Sequence, residues 1–374
     1  MSIVLLIIGL ILFIGLVVIH EFGHFLAARR NGVEVEEFGI GFPPRAWAKK
    51  TKDGFDFSIN WLPIGGFVKL KGESDAAKEK GSLGAATTWS KTKIMLAGVG
   101  MNLLIAFILL TALAWLGLPK LIDNQFTVKS DTTVLKNDVL AGYVEPKSPA
   151  AKAGIEPRDQ LLTIVSGDEK KTIKSADDLP GITERFAGKE VTITYKHEGK
   201  TRSKQTTLLS IKEVEASRRT DTPKGYLGIS PTELTMTRST WSAPIVGAGL
   251  IGQFTAATFQ GLGTTVAALF QGDGQKAAEQ VSGPVGIVVL LKDGSLLGYQ
   301  FMLMIIAIIS LTLAIMNVLP IPALDGGRLF MVLLSRLFGK QISQEMEERI
   351  VGASFLLLMF LIVLITIVDV KRFF

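Results

Sequence analysis

The sequence predicts a polytopic α-helical membrane protein with about four transmembrane helices, a membrane-associated β-hairpin or sheet, and an extracytoplasmic α+β domain. The 374 residues are 48% hydrophobic. Their mean hydropathy of +0.38 is typical of a membrane protein with a soluble part rather than of a globular enzyme. Four apolar runs reach or approach the roughly 20 residues that cross a hydrocarbon core. A long polar segment, 119–236, separates the second run from the third.

Each predicted span contains a long apolar run and ends near charged residues. The spans occupy residues 1–30, 93–118, 296–325 and 350–369, and residues 326–349 form a loop between the last two. Segment 237–295 contains a further uncharged stretch, 239–271, but its many Gly, Thr, Ser and Gln residues make it much less apolar. By composition, this stretch could span the membrane, lie at its surface or pack against the other helices.

The distribution of charge predicts the orientation. Lys and Arg residues are concentrated in 29–93 and recur in 326–349, so the positive-inside rule places both segments on the cytoplasmic side. The N-terminus and segment 119–236 then lie outside. The N-terminal run lacks a basic n-region, so we expect it to be retained rather than cleaved as a signal peptide. The net charge of +6 is therefore information about topology and not a sign of nucleic-acid binding.

Two of the three histidines lie in the motif His20-Glu21-Phe22-Gly23-His24, near the end of the first span. On a helix, His20 and His24 share one face and can hold one Zn²⁺, while Glu21 can act as a general base on water. Ionisable groups inside a membrane cost roughly 2.5–3.5 kcal/mol each on insertion scales, so they usually mark function. Because the chain has no Cys, zinc ligands must be His or carboxylate groups.

A catalytic zinc site needs a third protein ligand, and Asp325 is the best candidate. It lies at the end of the third span, where Pro320 and Pro322 break the helix and two glycines follow. The first and third spans both run inward, so His24 and Asp325 reach the same, cytoplasmic side. A crossing by 239–271 would put Asp325 on the opposite side. The ligand set therefore favours four spans.

Residues 31–92 predict β structure on the cytoplasmic side. Residues 57–61 alternate apolar and polar, residues 63–66 read as a turn, and residues 67–70 alternate again, which predicts a β-hairpin. An ordinary surface hairpin is one interpretation. Its position just after the metal motif favours the other, a sheet edge that faces the site.

The polar segment 119–236 predicts a separate soluble domain with its core at about 138–235. Residues 142–144, the Ala-rich passage 148–155 and residues 159–164 follow the order strand, short helix, strand. Residues 190–195 are a further strand, because β-branched residues alternate there.

These motifs together resemble the site-2 protease family of intramembrane zinc metalloproteases, and within it the bacterial RseP type. The resemblance covers nearly the whole chain and is most specific in the pairing of HEFGH with LDGG on separate spans. It is carried by HEFGH at 20–24, Gly39–Phe42, Gly65–Leu70, a single PDZ-like domain, Ser282–Ile287 and NxxPxPxLDGG at 317–327. In that domain, residues 148–155 resemble a PDZ core. Gly225–Ile229 resembles its carboxylate-binding loop, displaced to the end as in a circular permutation.

The resemblance implies further site residues. Asn317 is expected to help hold the substrate, and the other candidate substrate-binding residues are Pro320, Pro322, Asn102, Gly65, Gly66 and Phe67. It also implies membrane-associated β structure at 39–42 and 57–70, and a non-spanning helix before Ser282. The chain departs from the family pattern in two places. No Pro follows Gly98 in the passage that leads to Asn102, which leaves the role of Asn102 open. The polar segment has room for one PDZ domain instead of two.

The resemblance further implies a bacterial inner-membrane protease that uses Zn²⁺ to cleave within or beside transmembrane segments. Expected partners are single-pass membrane proteins of the anti-sigma-factor or signal-peptide-remnant type, lipid, and a peptide or substrate ectodomain on the PDZ domain, with no nucleic acid. A PDZ scaffold without activity would predict no stoichiometric zinc. A metal transporter would predict further intramembrane carboxylates or His, and the second and fourth spans contain none within their apolar runs.

Overall fold

The chain combines long apolar helices with two separate β-sheets. The computed structural model describes residues 2–197, 199–218, 222–279, 281–340 and 342–374. In chain order the elements are α1 (Ser2–Arg30), β1 (Val35–Lys50), β2 (Asp56–Leu70), α2 (Thr88–Leu116), β3 (Leu118–Pro119), β4 (Thr133–Val144), α3 (Pro149–Lys152), β5 (Gln160–Ser166), β6 (Glu169–Thr172), α4 (Asp178–Arg185), β7 (Glu190–His197), β8 (Lys200–Thr207), α5 (Ile211–Ser217), β9 (Ile229–Arg238), α6 (Ala243–Phe270), α7 (Gly274–Glu279), α8 (Pro284–Leu297), α9 (Tyr299–Val318), α10 (Asp325–Leu337) and α11 (Gln344–Phe373).

The chain forms two compact units. The first, which we call the helical unit, comprises residues 1–116, 125–128 and 240–374. The second, which we call the β unit, comprises residues 117–124 and 129–239. The β unit falls within the predicted extracytoplasmic domain 119–236 except at its edges.

Five helices of the described chain are long and apolar enough to cross a membrane: α1, α2, α6, α9 and α11. The predicted number was about four, so the helix count differs by one. The extra helix is α6, which covers most of 239–271. Its Gly, Thr and Gln residues lower its hydropathy, but its 28 residues contain no charge and form one continuous helix. The stretch 239–271, which the composition left ambiguous, is thus mostly one long helix, and its relation to the membrane is a separate question.

The single run predicted for 296–325 is divided in three. Gly298, with φ of +108°, separates α8 from α9, and α9 ends at Val318. Residues 319–324 then form a turn, because Pro320 and Pro322 have no N–H to continue a helix. Asp325 therefore lies in the first turn of α10 and not at the end of the third span. Much of the predicted loop 326–349 is helical, because α10 and the beginning of α11 lie within it.

The sheet of the helical unit is built from two long strands that pair along more than one stretch. Two antiparallel stretches join residues 35–40 to 66–70 and residues 45–50 to 56–60. Residues 37–40 also take residues 56–59 as partners on their other side. Segment 66–70 is therefore an outer edge of this sheet in the described part of the chain.

The predicted hairpin at 57–70 is wrong in its pairing. Segments 57–61 and 67–70 lie on opposite sides of residues 37–40 and do not pair with each other. The reversal instead joins β1 to β2, and Thr51 N donates to Phe55 O at 2.8 Å across it. The two prolines at 43–44 concealed how far β1 extends beyond the β structure expected at 39–42, because proline is disfavoured within strands.

A buried carboxylate holds the two halves of β1 together. Arg45 donates to Glu37 through two hydrogen bonds, one of them 3.0 Å long, and the Glu37 side chain is 8% exposed. Burial by itself would raise the pKa of Glu37. Hydrogen bonds from the Ser58 hydroxyl and the Arg45 guanidinium outweigh burial and hold this pKa below its ordinary value. Glu37 thus stays ionised and keeps residues 41–44 folded back.

Two clusters of buried apolar side chains hold the helices of this unit together. One joins α1, β2, α2 and α10 through Ala28, Val33, Leu70, Leu83, Ile94, Met95, Leu329 and Val332. The other joins α1, α8 and α9 through Leu16, Leu291, Met302, Ile305 and Ile306. Close packing, more than exclusion of water, stabilises such contacts between helices in lipid. The clusters fix α1 against α2, α9 and α10, which carry the candidate site.

The β unit contains a seven-stranded antiparallel sheet. The strand order is β3-β9-β4-β5-β7-β8, and β6 pairs with β5. Its core contains Ile164 and Ile193, both 0% exposed, with Phe186 and Tyr195 at 1%. The predicted strand at 190–195 is confirmed as β7, and the predicted order strand, helix, strand is confirmed as β4, α3 and β5.

Candidate metal centre

The C-terminal half of α1 carries His20, Glu21 and His24. One helical turn separates the two histidines, so their rings lie on the same face and meet edge to face, with ring centroids 4.8 Å apart. Both histidines are buried, at 7% and 8% exposure. Their Nε2 atoms point toward each other at 3.2 Å. The helix thereby aims two nitrogen donors at one point.

The first turn of α10 brings Asp325 to the same point. A Cβ at Gly326 would lie 2.1 Å from Val318 O, and a Cβ at Gly327 would lie 1.9 Å from Ile321 O. Only glycine therefore lets α10 fold back against the end of α9. The close approach of these backbones places the Asp325 carboxylate beside the two imidazoles.

The three donor atoms form a nearly equilateral triangle. Asp325 Oδ2 lies 3.0 Å from His20 Nε2 and 3.2 Å from His24 Nε2, and the two Nε2 atoms are 3.2 Å apart. Ligand atoms on a tetrahedral zinc, at bond lengths of about 2.0–2.1 Å, are roughly 3.3 Å apart. The described residues contain this one group of three His or carboxylate side chains close enough to share a metal ion. A set of two imidazoles and one carboxylate suits Zn²⁺.

Helix α2 supplies the wall behind the triangle. Because Gly98 has no side chain, the space next to both Nε2 atoms stays open: a Cβ there would lie 2.4 Å from His24 Nε2 and 2.7 Å from His20 Nε2. One turn earlier, Ile94 O lies 2.8 Å from His24 Nδ1. One turn later, the Asn102 amide lies 3.3 Å from His20 Nδ1. Residues 94, 98 and 102 thus form one stripe on the helix and contact both imidazoles.

Glu21 lies between the donor triangle and the edge of the sheet. Its Oε2 atom accepts a hydrogen bond of 3.1 Å from Val68 N, in edge segment 66–70. Gly66 is adjacent: a Cβ there would lie 3.6 Å from Glu21 Cγ. Leu70 N donates to a second side-chain carboxylate, Glu73 Oε1, at 3.1 Å. Two outward backbone donors of this edge, two residues apart, are therefore bonded to side chains rather than to a strand.

The other predicted site residues have different surroundings. The Phe67 ring covers Gly39, and the Phe42 ring packs at Gly65, where φ is +90°. Asn317 donates to Leu313 O of its own helix at 2.9 Å. Pro320 and Pro322 lie in the turn before Asp325, where their lack of a backbone N–H interrupts the helix. Among the predicted substrate residues, Gly66 thus borders the Glu21 side chain.

Three contributors to the centre were not predicted from the sequence: Ile94, Gly98 and Val68. Ile94 and Val68 act through backbone groups, which leave no trace in residue identity. Gly98 did leave a signal, because it lies four residues before Asn102 and therefore on the same face of α2. The spacing alone does not connect this face of α2 with the histidines of α1.

Comparison with known proteins agrees with this geometry. The family model described as peptidase family M50 matches residues 8–361. A protein of Clostridium perfringens whose name marks it as a zinc metalloprotease is 30% identical over 368 residues, which cover 97% of this chain and 97% of that protein. The zinc metalloprotease RasP of Shouchella clausii is 25% identical, over 96% of this chain and 97% of its own. The regulator of sigma-W protease RasP of Bacillus subtilis is 25% identical, over 98% of both chains.

The family model extends over α1, where the HEFGH motif lies, and over α10, where Asp325 lies. Two of these three similar proteins are named as zinc metalloproteases, and the donor triangle here suits zinc. The chain therefore belongs to peptidase family M50, the site-2 proteases, and is a membrane zinc metalloprotease.

Proposed function

We propose that this protein hydrolyses peptide bonds within or beside the transmembrane segments of single-pass membrane proteins. The observation that carries the proposal is the position of Glu21, which joins a three-donor metal triangle to the open edge of a β-sheet. A protease needs both features at one place, because the scissile peptide must be extended and must reach the base and the metal together.

In this mechanism His20, His24 and Asp325 hold the zinc. When bound, the zinc polarises a carbonyl oxygen and lowers the pKa of water toward about 7. Glu21 accepts the proton of the attacking water and later delivers a proton to the leaving amine. The buried apolar surroundings of α1 limit access to bulk water, which strengthens each of these electrostatic interactions.

The substrate binds by adding a strand to segment 66–70. A helical substrate hides its carbonyls in hydrogen bonds, so it has to unwind before it can be cut. Val68 N and Leu70 N point outward from the edge, and an incoming carbonyl can replace Glu21 and Glu73 as their acceptors. Gly66 and Phe67 flank these donors, while Gly65, Asn317, Pro320, Pro322 and Asn102 remain the other candidates for substrate contact.

We place the zinc site near the cytoplasmic face of a bacterial inner membrane, with the N-terminus and the β unit outside. The Lys and Arg residues of 29–93 support this orientation through the positive-inside rule. His24 lies about 7 Å, and His20 about 13 Å, from Arg29 along the helix axis. Because the sequence contains no Cys, single-cysteine variants labelled with an impermeant maleimide test the orientation without background.

Helix α6 is proposed not to cross the membrane completely, so that four helices span it. Gly247 packs against Thr111 near the outward end of α2, and Gly283, after the helix, donates to Asp369 near the outward end of α11. A return from the far side within residues 271–283 would need about 30 Å. This linker reaches roughly 32 Å only if every residue outside α7 is fully extended. Backbone hydrogen bonds at both ends of the linker keep it turned, so its reach is shorter than that. A Phe270→Cys variant labelled from inside would contradict this topology.

The β unit is proposed to be a circularly permuted PDZ domain that binds a peptide or a substrate ectodomain. Gly225–Ile229 leads into β9, and Ala150 N at the start of α3 donates to Leu227 O at 3.0 Å. A cavity of about 270 Å³ opens beside this loop, lined in part by Tyr143 and Ser230. This arrangement supports recognition of an extended chain by strand addition.

Expected substrates are anti-sigma factors or signal-peptide remnants, and no nucleic acid is involved. Support for the first class comes from the name of the Bacillus subtilis relative, which describes that protein as a regulator of sigma-W. Both classes present a single transmembrane segment, which fits one edge strand beside one metal centre.

The decisive experiment is substitution Glu21→Gln. We expect the purified variant to keep one zinc per chain and to lose cleavage of a model single-pass substrate by roughly 10²–10⁴-fold, the usual contribution of general acid–base catalysis. Glu215→Gln, at an exposed position of α5, is the matched control and should cleave normally. Wild-type cleavage by the Glu21→Gln protein would refute the assignment, and mass spectrometry of substrates trapped by this variant would identify them.

A further inference from the structure

We propose that Asn102 is a positioning residue for His20: its amide oxygen accepts a hydrogen bond from His20 Nδ1–H and so fixes Nε2 as the nitrogen that binds the metal. The inference rests on the proposed role of His20 as a ligand. It assigns Asn102 to the metal site rather than to the substrate.

The surroundings of Asn102 carry the first step. Its side chain is 1% exposed and lies within the helical unit, with an amide atom 3.3 Å from His20 Nδ1. The Oδ1 atom is buried and has no hydrogen-bond partner among the described residues. From α9, the Ser310 hydroxyl donates to Asn102 O at 2.8 Å, which anchors the backbone at this position. A substrate cannot reach a side chain enclosed in this way without displacing the imidazole.

The second step concerns the tautomer of His20. A neutral imidazole carries one N–H, and the ring nitrogen without it is the metal donor. Nε2 of His20 faces Asp325 and His24 at 3.0 and 3.2 Å, so Nε2 must be the donor and Nδ1 must carry the proton. A proton on Nδ1 requires an acceptor, and the Asn102 amide is the group that lies there.

The third step concerns the orientation of that amide. The oxygen and nitrogen of an Asn side chain exchange places by a 180° rotation, and the hydrogen-bond network decides between the two orientations. With nitrogen toward His20, the amide would demand a proton on Nε2. With oxygen toward His20, it demands the proton on Nδ1. The amide makes one hydrogen bond to the ring in either orientation, so the difference lies in the tautomer that each selects.

The other histidine provides an internal comparison. His24 Nδ1 lies 2.8 Å from Ile94 O, a carbonyl that can only accept, so His24 Nδ1 carries a proton and Nε2 is free for the metal. Ile94 and Asn102 lie two turns apart on α2, on either side of Gly98. Helix α2 thus presents one acceptor to each imidazole, and outer-shell acceptors of this kind typically change metal affinity about 10–100-fold when removed.

The test compares zinc affinity in three variants purified in detergent, by competition with a chromophoric chelator. Asn102→Leu keeps the branched shape of the side chain but has no acceptor, and we expect affinity to fall about 10–100-fold. Asn102→Asp can only accept, and we expect it to retain affinity close to that of the unmodified protein. Thr111→Val removes a different buried polar group of α2 with an unpartnered oxygen and should leave affinity unchanged.

A second readout reports the tautomer directly. The chain has three histidines, so ¹⁵N-histidine spectra of the zinc-loaded protein are simple to assign with a His197→Gln variant. We expect both motif histidines to carry the proton on Nδ1, and His20 alone to change in Asn102→Leu. Unchanged zinc affinity in Asn102→Leu, with or without a raised KM, would overturn the proposal and return Asn102 to the substrate. Full zinc affinity in His20→Ala would instead refute the ligand assignment on which the proposal rests.

Discussion

Substitution Gly98→Ala offers the sharpest prediction, because a single methyl group would enter the space between the metal donors. The added Cβ would lie 2.4 Å from His24 Nε2 and 2.7 Å from His20 Nε2, short of an ordinary 3.4 Å contact by about 1.0 and 0.7 Å. Metal sites tolerate about 0.2 Å in ligand distance. Both imidazoles would have to move several times further than this tolerance. We therefore expect zinc affinity to fall about 100-fold or more, which corresponds to a loss of roughly 2.8 kcal/mol in binding free energy.

The control for this variant is Gly100→Ala, two residues along the same helix, where a Cβ meets open space. Each substitution replaces glycine by alanine within α2 and should favour the helix by up to about 1 kcal/mol. Zinc content by plasma mass spectrometry, together with chelator competition, then separates the site from the stability of the helix. One zinc per chain in the Gly98→Ala protein, with affinity within threefold of the control, would refute the reasoning.

Three other substitutions test how the surrounding structure holds the site. Gly327→Ala places a Cβ 1.9 Å from a backbone carbonyl, so we expect it to lose zinc and about 1–3 kcal/mol of stability in thermal melts, whereas Gly352→Ala, in open space on α11, should lose neither. Asp369→Leu removes the acceptor of two buried N–H groups at the start of α8, at about 1–3 kcal/mol each; hydrogen exchange should rise there, and unchanged exchange would contradict the contact. Ile164→Ala should destabilise the β unit by about 2–5 kcal/mol, measured by pulsed proteolysis, and should leave the zinc content unchanged. Loss of zinc in this variant would contradict the expectation that the two units fold independently.

The sequence was most informative where chemistry and helix periodicity coincide. His20 and His24 could be paired because a spacing of four residues on a helix puts them on one face. Asp325 could be added because a catalytic zinc needs a third protein ligand and because two prolines break the span just before this carboxylate. These inferences need only identity and spacing, and the three side chains do lie together.

The rest of the centre depends on backbone geometry, which residue identity does not encode. Ile94 contributes a carbonyl and Val68 an N–H, and any residue type would offer the same atoms. The path of β1 was concealed by Pro43 and Pro44, and the division of α8 from α9 depends on the conformation of the single residue Gly298. Long-range pairing of this kind becomes visible only when the segments that meet are known.

The hydrogen bond from Val68 N to Glu21 has a consequence for the resting enzyme. While it persists, the base is bonded to the place where a substrate strand would attach. A peptide carbonyl that takes over Val68 N releases Glu21 at the moment when a scissile bond arrives. In the proposed mechanism, Glu21 is therefore available as a base only when a substrate strand occupies the edge segment 66–70. In the proposed mechanism, Glu21 of this membrane enzyme thus stays hydrogen-bonded to the sheet edge until an unfolded segment of a substrate pairs with that edge.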